Sequence, residues 1–582
     1  MKTTLIGALL CAASMFFPCA HAQQSETDLQ TLAQIRAQAQ TGDAQAQLQL
    51  GLAFYWGKLG AEKNYPEAVK CFRKAAAQNH PAAQSNLGVC YAEGKGVKKD
   101  EMEAVKWYYR AAEQNHPEAQ YNLGMCYHDG IGVATNYVES VKWFRKAAEQ
   151  NYPAAQYNLG ICYRDGQGVV EDEVEAAKWI HQAADQDFAA AQYNLGVCYE
   201  KGQGVPQDLL EASRWYRRAA DQGDAKAEHN LGMYYTQGAG VRQDHAEASK
   251  WYRRAADQNM AAAQHNLGVC YERGEGVPQD LAEAAKWYRR AADQGYAEAQ
   301  YNLGVCYTQG AGVRQDHAEA VMWYRKAAGQ NLASAQHNLG VCYEKGEGVR
   351  EDPAEAANWY RKAAEQGYAL AQCNLGLCYY NGRGVVKDEL EAYKWWLLAG
   401  AQGITIARKN ITLAERQLTR QQRGEGQKCA GDFKPTKPAS LDGGPNPAIS
   451  NLPADVLAKA RTGGAQAQNE LGEALYMGKQ GAAENPVEAV QWFRQAAAQN
   501  LAAAQSNLGV CYERGDGVAK YEVEAYKWDL LAAAQGDTKA KRKASLLEFL
   551  LSPEEIAEGK RRAKDWLEHR DPPPADKPTP TK

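Results

Sequence analysis

The stretch AQHNLGVCYERGEGVPQDLAEAAKWYRRAA, residues 263–292, recurs along the chain with a period of 36 residues. Its Leu-Gly pair marks each copy, with the glycine at Gly88, Gly124, Gly160, Gly196, Gly232, Gly268, Gly304, Gly340 and Gly376, and in looser copies at Gly51, Gly472 and Gly509. A fixed period of roughly 20 to 50 residues is typical of stacked supersecondary units that pack on their neighbours. This period predicts a repeat array before any other signal is considered.

The first half of the repeat has the spacing of an amphipathic helix, which we call helix A. Its core face, read at about 100° per residue, consists of Ala263, Leu267, Cys270 and Tyr271. Gly268 lies beside that face, and its missing side chain predicts the close approach of another backbone. Gly274 has the position of a C-terminal capping glycine, so we expect helix A to end there.

The second half predicts another helix, which we call helix B. Asp280 and Glu283 have the spacing of a capping box, in which each side chain accepts a hydrogen bond from a backbone N–H. The core face of helix B consists of Ala284, Trp287, Tyr288 and Ala291. Ordering the backbone costs roughly 1–2 kcal/mol per residue, and the apolar side chains of a single helix pair cannot offset this cost by burial. Neighbouring helix pairs must therefore bury the remaining apolar surface. We therefore predict an all-α fold of stacked antiparallel helix pairs.

The motifs A-x-A-Q-x-N-L-G-x-x-Y, G-x-G-V and W-Y-R-x-A-A resemble the Sel1-like repeat, a relative of the tetratricopeptide (TPR) repeat. The resemblance covers residues 30–430 and 455–570. It implies a superhelical, TPR-like α-solenoid in which helix A lines the concave side. It also implies the usual role of such proteins, which is to act as scaffolds or adaptors for other proteins.

The N-terminus has the pattern of a cleavable secretory signal peptide. Lys2 supplies the positive charge, Leu5 to Phe17 form the apolar segment, and Ala20-His21-Ala22 is the cleavage site. We expect cleavage before Gln23 and a secreted or periplasmic protein. No later segment is apolar enough to predict a membrane span.

The periodicity divides the chain into five segments. These are the signal peptide (1–22), a first array of about ten repeats with capping helices (27–430), a Pro/Gly-rich linker (431–453), a second array of two repeats with C-terminal helices (454–570) and a disordered tail (571–582). Two arrays that each have their own ends predict two separately folding units.

Composition and motifs argue against nucleic acid binding and catalysis. The net charge of −4 does not favour nucleic acid, which requires a clustered basic surface. The chain contains no H-E-x-x-H, G-x-S-x-G, S-x-x-K or Walker-type motif. We therefore predict no enzymatic activity, no catalytic residue, no metal site and no cofactor.

Cysteine recurs at one position of helix A. The members of this ladder are Cys90, Cys126, Cys162, Cys198, Cys270, Cys306, Cys342, Cys378 and Cys511. Equivalent stacked helices lie about 8–10 Å apart or more, whereas a disulfide tolerates a Cα separation of roughly 7 Å. We predict buried, reduced thiols that act as small hydrophobic residues. Cys71 and Cys90, on helices expected to face each other, form the candidate disulfide.

Helix A has a second face, away from its core face, which we call the groove face. Its ring-bearing first positions are Tyr121, Tyr157, Tyr193, His229, His265, Tyr301 and His337, and its apolar second positions are Met125, Ile161, Val197, Met233, Val269, Val305 and Val341. An apolar floor flanked by rings suits an extended peptide or a partner helix. In the alternative, curvature crowds these residues together and nothing binds to them.

An asparagine precedes each Leu-Gly pair, at the border of the core face and the groove face. Examples are Asn158, Asn194, Asn230, Asn266 and Asn302. The resemblance to TPR relatives implies that this residue contacts the backbone of a ligand. Its presence in nearly every repeat also fits a structural hydrogen bond to a neighbouring turn.

These observations predict an exported, non-enzymatic scaffold that binds a protein or an extended peptide on the concave face. Two alternatives remain open. One is an envelope glycan-binding protein that uses the Tyr and His rings for stacking. The other is a hydrolase of peptidoglycan-like or β-lactam substrates, an activity ascribed to cysteine-rich relatives.

Overall fold

A computed structural model of the chain describes residues 20–436, 459–460, 463–479 and 482–569. These residues form 29 helices and no strand, which confirms the predicted all-α fold. None of the described helices is long and apolar enough to cross a membrane. Residues 1–19 of the predicted signal peptide, most of the predicted linker and the predicted tail lie outside the described residues.

Helices A and B alternate through the first array, after an initial helix α1 (Ala20–Gln40). Helix A is, in order, α2 (Ala44–Trp56), α4 (Pro81–Glu93), α6 (Pro117–Asp129), α8 (Pro153–Asp165), α10 (Ala189–Lys201), α12 (Ala225–Gln237), α14 (Ala261–Arg273), α16 (Ala297–Gln309), α18 (Ala333–Lys345) and α20 (Ala369–Asn381). Helix B is α3 (Tyr65–Ala77), α5 (Glu101–Glu113), α7 (Tyr137–Glu149), α9 (Glu173–Asp185), α11 (Leu209–Asp221), α13 (His245–Asp257), α15 (Leu281–Asp293), α17 (His317–Gly329), α19 (Pro353–Glu365) and α21 (Glu389–Ala401).

Two further helices follow each array, and we call them the first cap and the second cap. The first cap is α22 (Thr405–Gln417) with α23 (Arg420–Gly431). The second array is α24 (Ala465–Met477), α25 (Pro486–Ala498), α26 (Ala502–Arg514) and α27 (Glu522–Ala534). The second cap is α28 (Thr538–Leu550) with α29 (Pro553–Glu568).

The chain divides into two compact units. The first comprises Met1–Leu231 with Ala239–Val241, and the second comprises Gly232–Gly238 with Arg242–Lys582. Within its described residues each unit is a run of paired helices, and the second unit also contains both caps and the second array. The predicted separate folding of the two arrays stays a prediction.

The ends of the helices follow the sequence signals, with one correction. Gly274 adopts a left-handed conformation and its N–H donates to the carbonyl of Cys270, which ends helix A. Asp280 accepts a hydrogen bond from the N–H of Glu283 at 2.9 Å. The predicted reciprocal half of this capping box is wrong, because the Glu283 carboxylate accepts from Lys286 at 3.0 Å instead. Helix B therefore begins with a one-sided cap.

The two glycines of each repeat allow different close approaches. A Cβ on Gly268 would lie 2.6 Å from the ring of Tyr288 and 3.3 Å from the backbone carbonyl oxygen of Ala284, so this glycine admits both a ring and the backbone of helix B. A Cβ on Gly276 would lie 1.9 Å from the carbonyl oxygen of His245 in the preceding repeat. The backbone approach at the turn between helices A and B is thus the closer of the two.

Each hydrophobic core is shared by consecutive repeats. Trp323 of α17 is 2% exposed and packs with Tyr288 and Leu303, which come from the preceding helix B and the helix A that follows it. The same arrangement recurs along both units, with Trp143 and Trp395 each joining the core of the repeat before their own. Stability in such a stack depends on the interfaces between repeats.

The second array packs on the first cap. The N–H of Gly517 donates to the carbonyl of Ala401 at 2.9 Å, and Arg408 pairs with Asp516 at 3.1 Å. Tyr521 occupies the N-cap position of α27, where most other repeats have Asp or Asn, and it makes no side-chain cap bond. Its buried ring lies against Gly431 instead. The two arrays therefore touch, a point that the sequence left open.

Candidate functional site

The first positions of the groove face lie between repeats. Most are half-buried, whereas His229 and His337 are buried. The ring centroid of His265 lies 5.7 Å from that of Tyr288 and 5.4 Å from that of Tyr296. Tyr121 is held in the same way between Phe144 and Tyr152. One side of each of these rings is therefore used for packing against helix B and the start of the next helix A.

The second positions of the groove face are half-buried in every repeat where we predicted them. In the first unit these are Met125, Ile161 and Val197, and in the second unit Met233, Val269, Val305 and Val341. Val269 packs against the core cluster that contains Tyr288, and Val305 against the cluster that contains Tyr324. The inner side of each side chain stabilises the stack, and its outer side remains accessible to solvent.

The asparagines connect the rings of successive repeats. The Nδ2 of Asn194 donates to the hydroxyl of Tyr157 at 3.1 Å, and Asn302 bonds the Nε2 of His265 at 3.0 Å. Equivalent contacts join Asn158 to Tyr121, Asn230 to Tyr193 and Asn374 to His337, while Asn266 bonds the ring of His265. For most of these asparagines the ring belongs to the preceding repeat, whereas Asn266 bonds its own neighbour His265. Asn194 also donates to the carbonyl of Ala190, one helical turn earlier, at 2.8 Å, so a structural bond to a neighbouring turn is present as well. Ligand contact by these asparagines stays a prediction.

The groove face carries little charge at neutral pH. Burial lowers the pKa of His229 and of His337, so both imidazoles are held in the neutral form. Burial raises the pKa of Tyr121 and of Tyr301, which keeps their hydroxyls protonated. The rings can therefore offer apolar surface and neutral hydrogen bonds.

Two polar residues next to the groove face, Glu272 and Thr308, bond within their own repeat. Glu272 accepts a hydrogen bond from the hydroxyl of Tyr288 at 2.5 Å. Thr308 shares a hydrogen bond with the hydroxyl of Tyr324 at 3.0 Å. These contacts tie helix A to helix B and direct the carboxylate and hydroxyl towards the protein.

The described cysteines are free thiols, and the ladder members are buried as predicted. Burial raises the pKa of Cys90 to about 12 and that of Cys270 to about 11, so neither is a reactive thiolate at neutral pH. Cys71 is half-buried and is not bonded to Cys90, and their pairing stays a prediction. Among the described residues, no group of three His, Cys, Asp or Glu side chains could hold a metal ion.

A ladder of glutamines escaped the sequence analysis. Gln264 is buried, and its Nε2 donates to the carbonyl of Ala256 in the preceding helix B at 3.2 Å. Its Oε1 accepts from Gln294, which follows the next helix B, at 2.7 Å. The same pair recurs as Gln300 and Gln330. The signal was present, since both glutamines recur with the period of the repeat, 30 residues apart.

Comparisons with known proteins agree with this architecture. The model of the Sel1 repeat matches twelve segments, at 44–80, 81–116, 117–152, 153–188, 189–224, 225–260, 261–296, 297–332, 333–368, 369–404, 465–501 and 502–537. No curated protein matches the chain in sequence.

Two solved structures of bacterial proteins are similar to the chain. One is a protective antigen of uropathogenic Escherichia coli that displays an SLR fold, with 35% identity over 69% of this chain and 94% of that chain, at a TM-score of 0.50. The other is a Sel1 repeat protein from Oxalobacter formigenes, with 35% identity over 54% of this chain and 92% of that chain, at a TM-score of 0.41. The twelve matched segments, together with the Escherichia coli relative that is 35% identical over 94% of its length, show that the chain belongs to the Sel1 repeat family.

Proposed function

We propose that the chain is an exported, non-enzymatic scaffold that binds a protein partner or an extended peptide along the groove face. The observation that carries this proposal is the second position, which is apolar and half-exposed in three consecutive repeats of the first unit and four of the second. Core positions of the same helices, such as Leu267 and Leu303, are fully buried. An apolar surface that the core does not cover is available to a partner.

The hydrogen bonds between repeats support this function. The amides of Asn194 and Asn302 each hold a ring of the preceding repeat, so these parts of the groove face are ordered before a partner arrives. A surface that is already ordered loses less conformational entropy on binding. The neutral state of the rings favours an apolar or uncharged peptide segment over an acidic or basic one.

Export is supported by the signal-peptide pattern of residues 1–22. Sequencing the N-terminus of the chain purified from its native cells should find Gln23 as the first residue. The partner can be identified by chemical cross-linking in the native envelope fraction followed by mass spectrometry, and then purified for titration.

Two substitutions on the groove face test the binding site. Val269→Thr with Val305→Thr keeps the side-chain shape and adds a hydroxyl to each outer surface. We expect binding of the purified partner to weaken about tenfold or more, because an apolar contact is replaced by an unpaired polar group. Val→Asp is less suitable, since the inner sides of both valines pack against the next repeat.

The control changes two cations on helix B. Lys250→Ala with Lys286→Ala removes side chains that are 71% exposed and pair with nearby glutamates. Partner affinity should be unchanged, as such surface pairs contribute little. Loss of binding in the control alone would place the partner on helix B, and unchanged binding in both variants would remove it from these repeats.

A further inference from the structure

The two caps are the same structure built twice, with equivalent residues 133 positions apart. Leu418 caps the C-terminus of α22 and Leu551 caps that of α28, both in extended conformation. Thr419 and Ser552 follow, and each forms a complete capping box at the start of the next helix. The turn within each cap therefore has one geometry.

A glycine and a tyrosine confirm the equivalence. A Cβ on Gly426 of α23 would lie 2.6 Å from the ring of Tyr393, and a Cβ on Gly559 of α29 would lie 2.6 Å from the ring of Tyr526. Each tyrosine stands on the last helix B of its array. Residues of α22 can therefore be compared one by one with residues of α28.

The outward faces of α22 and α28 differ in chemistry. The first cap carries Leu413, Arg416 and Gln417, and the second carries Leu546, Phe549 and Leu550 at the equivalent positions. Phe549 is 86% exposed, Leu546 57% and Leu550 49%. Because Arg and Gln hold positions 416 and 417 in a folded cap, the apolar side chains at 549 and 550 are not required for folding. They need another explanation.

Three cations precede the apolar residues on α28. Lys539, Lys541 and Arg542 are exposed, and none of them forms an ion pair with another residue in the described part of the chain. By contrast, Lys560 of the neighbouring helix α29 pairs with Glu548 at 3.0 Å. The uncompensated positive charge is local, since the whole chain has a net charge of −4.

Two of the cations, Lys539 and Arg542, share one face of the helix with the apolar residues, whereas Lys541 lies on the opposite flank. Spacings of three and four residues place Lys539, Arg542, Leu546, Phe549 and Leu550 in one row. At 1.5 Å per residue the row is about 16 Å long. It is basic over its first half and apolar over its second half.

The size and charge of this row decide what it fits. Three such side chains expose on the order of 350 Å², less than half of the roughly 800 Å² that each partner of a stable protein complex buries. A lipid bilayer imposes no such minimum, because it accepts a few inserted side chains together with cations at its headgroups. We propose that the row on α28 docks the protein on an anionic lipid surface.

In this arrangement Phe549, Leu546 and Leu550 insert at the boundary between headgroups and acyl chains. Lys539 and Arg542 contact lipid phosphates, and Lys541, on the flank of the helix, adds to the local positive charge. The attachment is peripheral, and it is independent of partner binding to the groove face.

The test uses the full chain and vesicles of two compositions, phosphatidylcholine alone and phosphatidylcholine with phosphatidylglycerol at about 70:30. Co-sedimentation should show that the protein binds the anionic vesicles only. The bound fraction should fall as the salt concentration rises from about 0.05 to 0.5 M. Phe549→Arg with Leu550→Gln copies the residues of α22, so the cap should fold. The partition of this variant from water onto the anionic vesicles should fall at least about tenfold, because the inserted side chains are lost. The fall is expected although the variant gains a positive charge.

A second variant neutralises the cations. Lys539→Gln, Lys541→Gln and Arg542→Gln together should weaken partition by on the order of a hundredfold, at about fivefold per cation. Its matched control is Lys106→Gln, Lys142→Gln and Lys178→Gln, three exposed lysines that pair with glutamates on helix B of the first unit. The control should bind vesicles almost as well as the unaltered chain.

Several outcomes would overturn the proposal. The first is equal binding of the unaltered chain to both kinds of vesicle. The second is a loss of vesicle binding in the lysine control as large as in the cation variant. The third is unchanged vesicle binding of the Phe549 and Leu550 variant. A further one is self-association that depends on Phe549, measured by sedimentation without vesicles, since it would identify a second copy of the chain as the occupant. Thermal melting of each variant establishes that the cap is folded.

Discussion

Asp529 lies in the core of the last repeat, at the position equivalent to Trp396, which packs on Gly376 in the first array. Its side chain is 0% exposed, and its Oδ1 would be 2.6 Å from a Cβ on Gly509. Lys543 of α28 lies 3.4 Å from Oδ1, whereas Oδ2 has no hydrogen-bond partner among the described residues. Burial raises the pKa of Asp529 to about 7, although the Lys543 ammonium opposes that shift.

The direction of the pKa shift determines how stability depends on pH. An aspartate in the unfolded chain has a pKa of about 3.9, so between about pH 4 and pH 7 the folded chain holds a proton that the unfolded chain releases. The free energy of unfolding therefore falls as pH rises through this window, by about 4 kcal/mol in total. Roughly 1.5 kcal/mol of this is lost by pH 5 and a further 2.5 kcal/mol by pH 8.

Asp529→Asn removes the ionisable group and keeps its shape. We expect it to stabilise the last repeat by about 4 kcal/mol at pH 8 and by about 1.5 kcal/mol at pH 5. Lys543 tolerates the change because its side chain is 26% exposed and can reach water. The difference in unfolding free energy between the variant and the unaltered chain should therefore be larger at pH 8 than at pH 5.

Labelling of Cys511 measures this effect locally. The thiol is 1% exposed on α26, so it reacts only when the last repeat opens. At each pH, the labelling rate of the unaltered chain is divided by that of the variant. The intrinsic reactivity of the thiol cancels in this ratio. The ratio should rise roughly 70-fold between pH 5 and pH 8. Glu554→Gln, an exposed carboxyl on α29, is the control. A ratio that is equal at both pH values, or larger at pH 5, would refute the reasoning.

Two further predictions concern the array. Trp323→Ala should lower the free energy of unfolding by about 3–5 kcal/mol. Hydrogen exchange should become faster in α15 and α16 as well as in α17, because Trp323 packs in the core of the preceding repeat. Faster exchange confined to α17 would contradict this coupling. Thiol titration of the native chain should detect Cys429 and Cys71, while the ten buried thiols react only on unfolding. Prompt reaction of several ladder thiols would contradict their burial. If fewer thiols are counted after unfolding than after unfolding with a reducing agent, the result would support the Cys71–Cys90 disulfide.

The helix pairs could be predicted because their signals are local and repeated. Gly274 and Asp280 mark the end of one helix and the start of the next, and both act through neighbours within four residues. The period then indicates which residues must be covered by the next repeat. The capping box was only half right at Glu283, since Lys286 lies one turn away and competes for the same carboxylate.

Contacts between distant segments could not be predicted in this way. Tyr521 interrupts the series of N-cap residues, but periodicity does not identify Gly431 as the residue against which its ring packs. The pairing of Lys520 with Glu415 at 3.3 Å likewise joins the second array to the first cap. Both contacts depend on how the chain returns after the linker, which helical spacing does not determine.

The groove face shows the limit of a helical wheel. A wheel gives the direction of a side chain from the helix axis, but not how closely the next helix approaches. Tyr121 points away from the core face of its own helix and nevertheless packs against Tyr152 of the next repeat. Because Asn158 bonds the hydroxyl of Tyr121, a change at one first position also alters the repeat that follows. If a partner binds the groove face as proposed, the order of Tyr and His along the array would therefore act through pairs of adjacent repeats rather than through single residues.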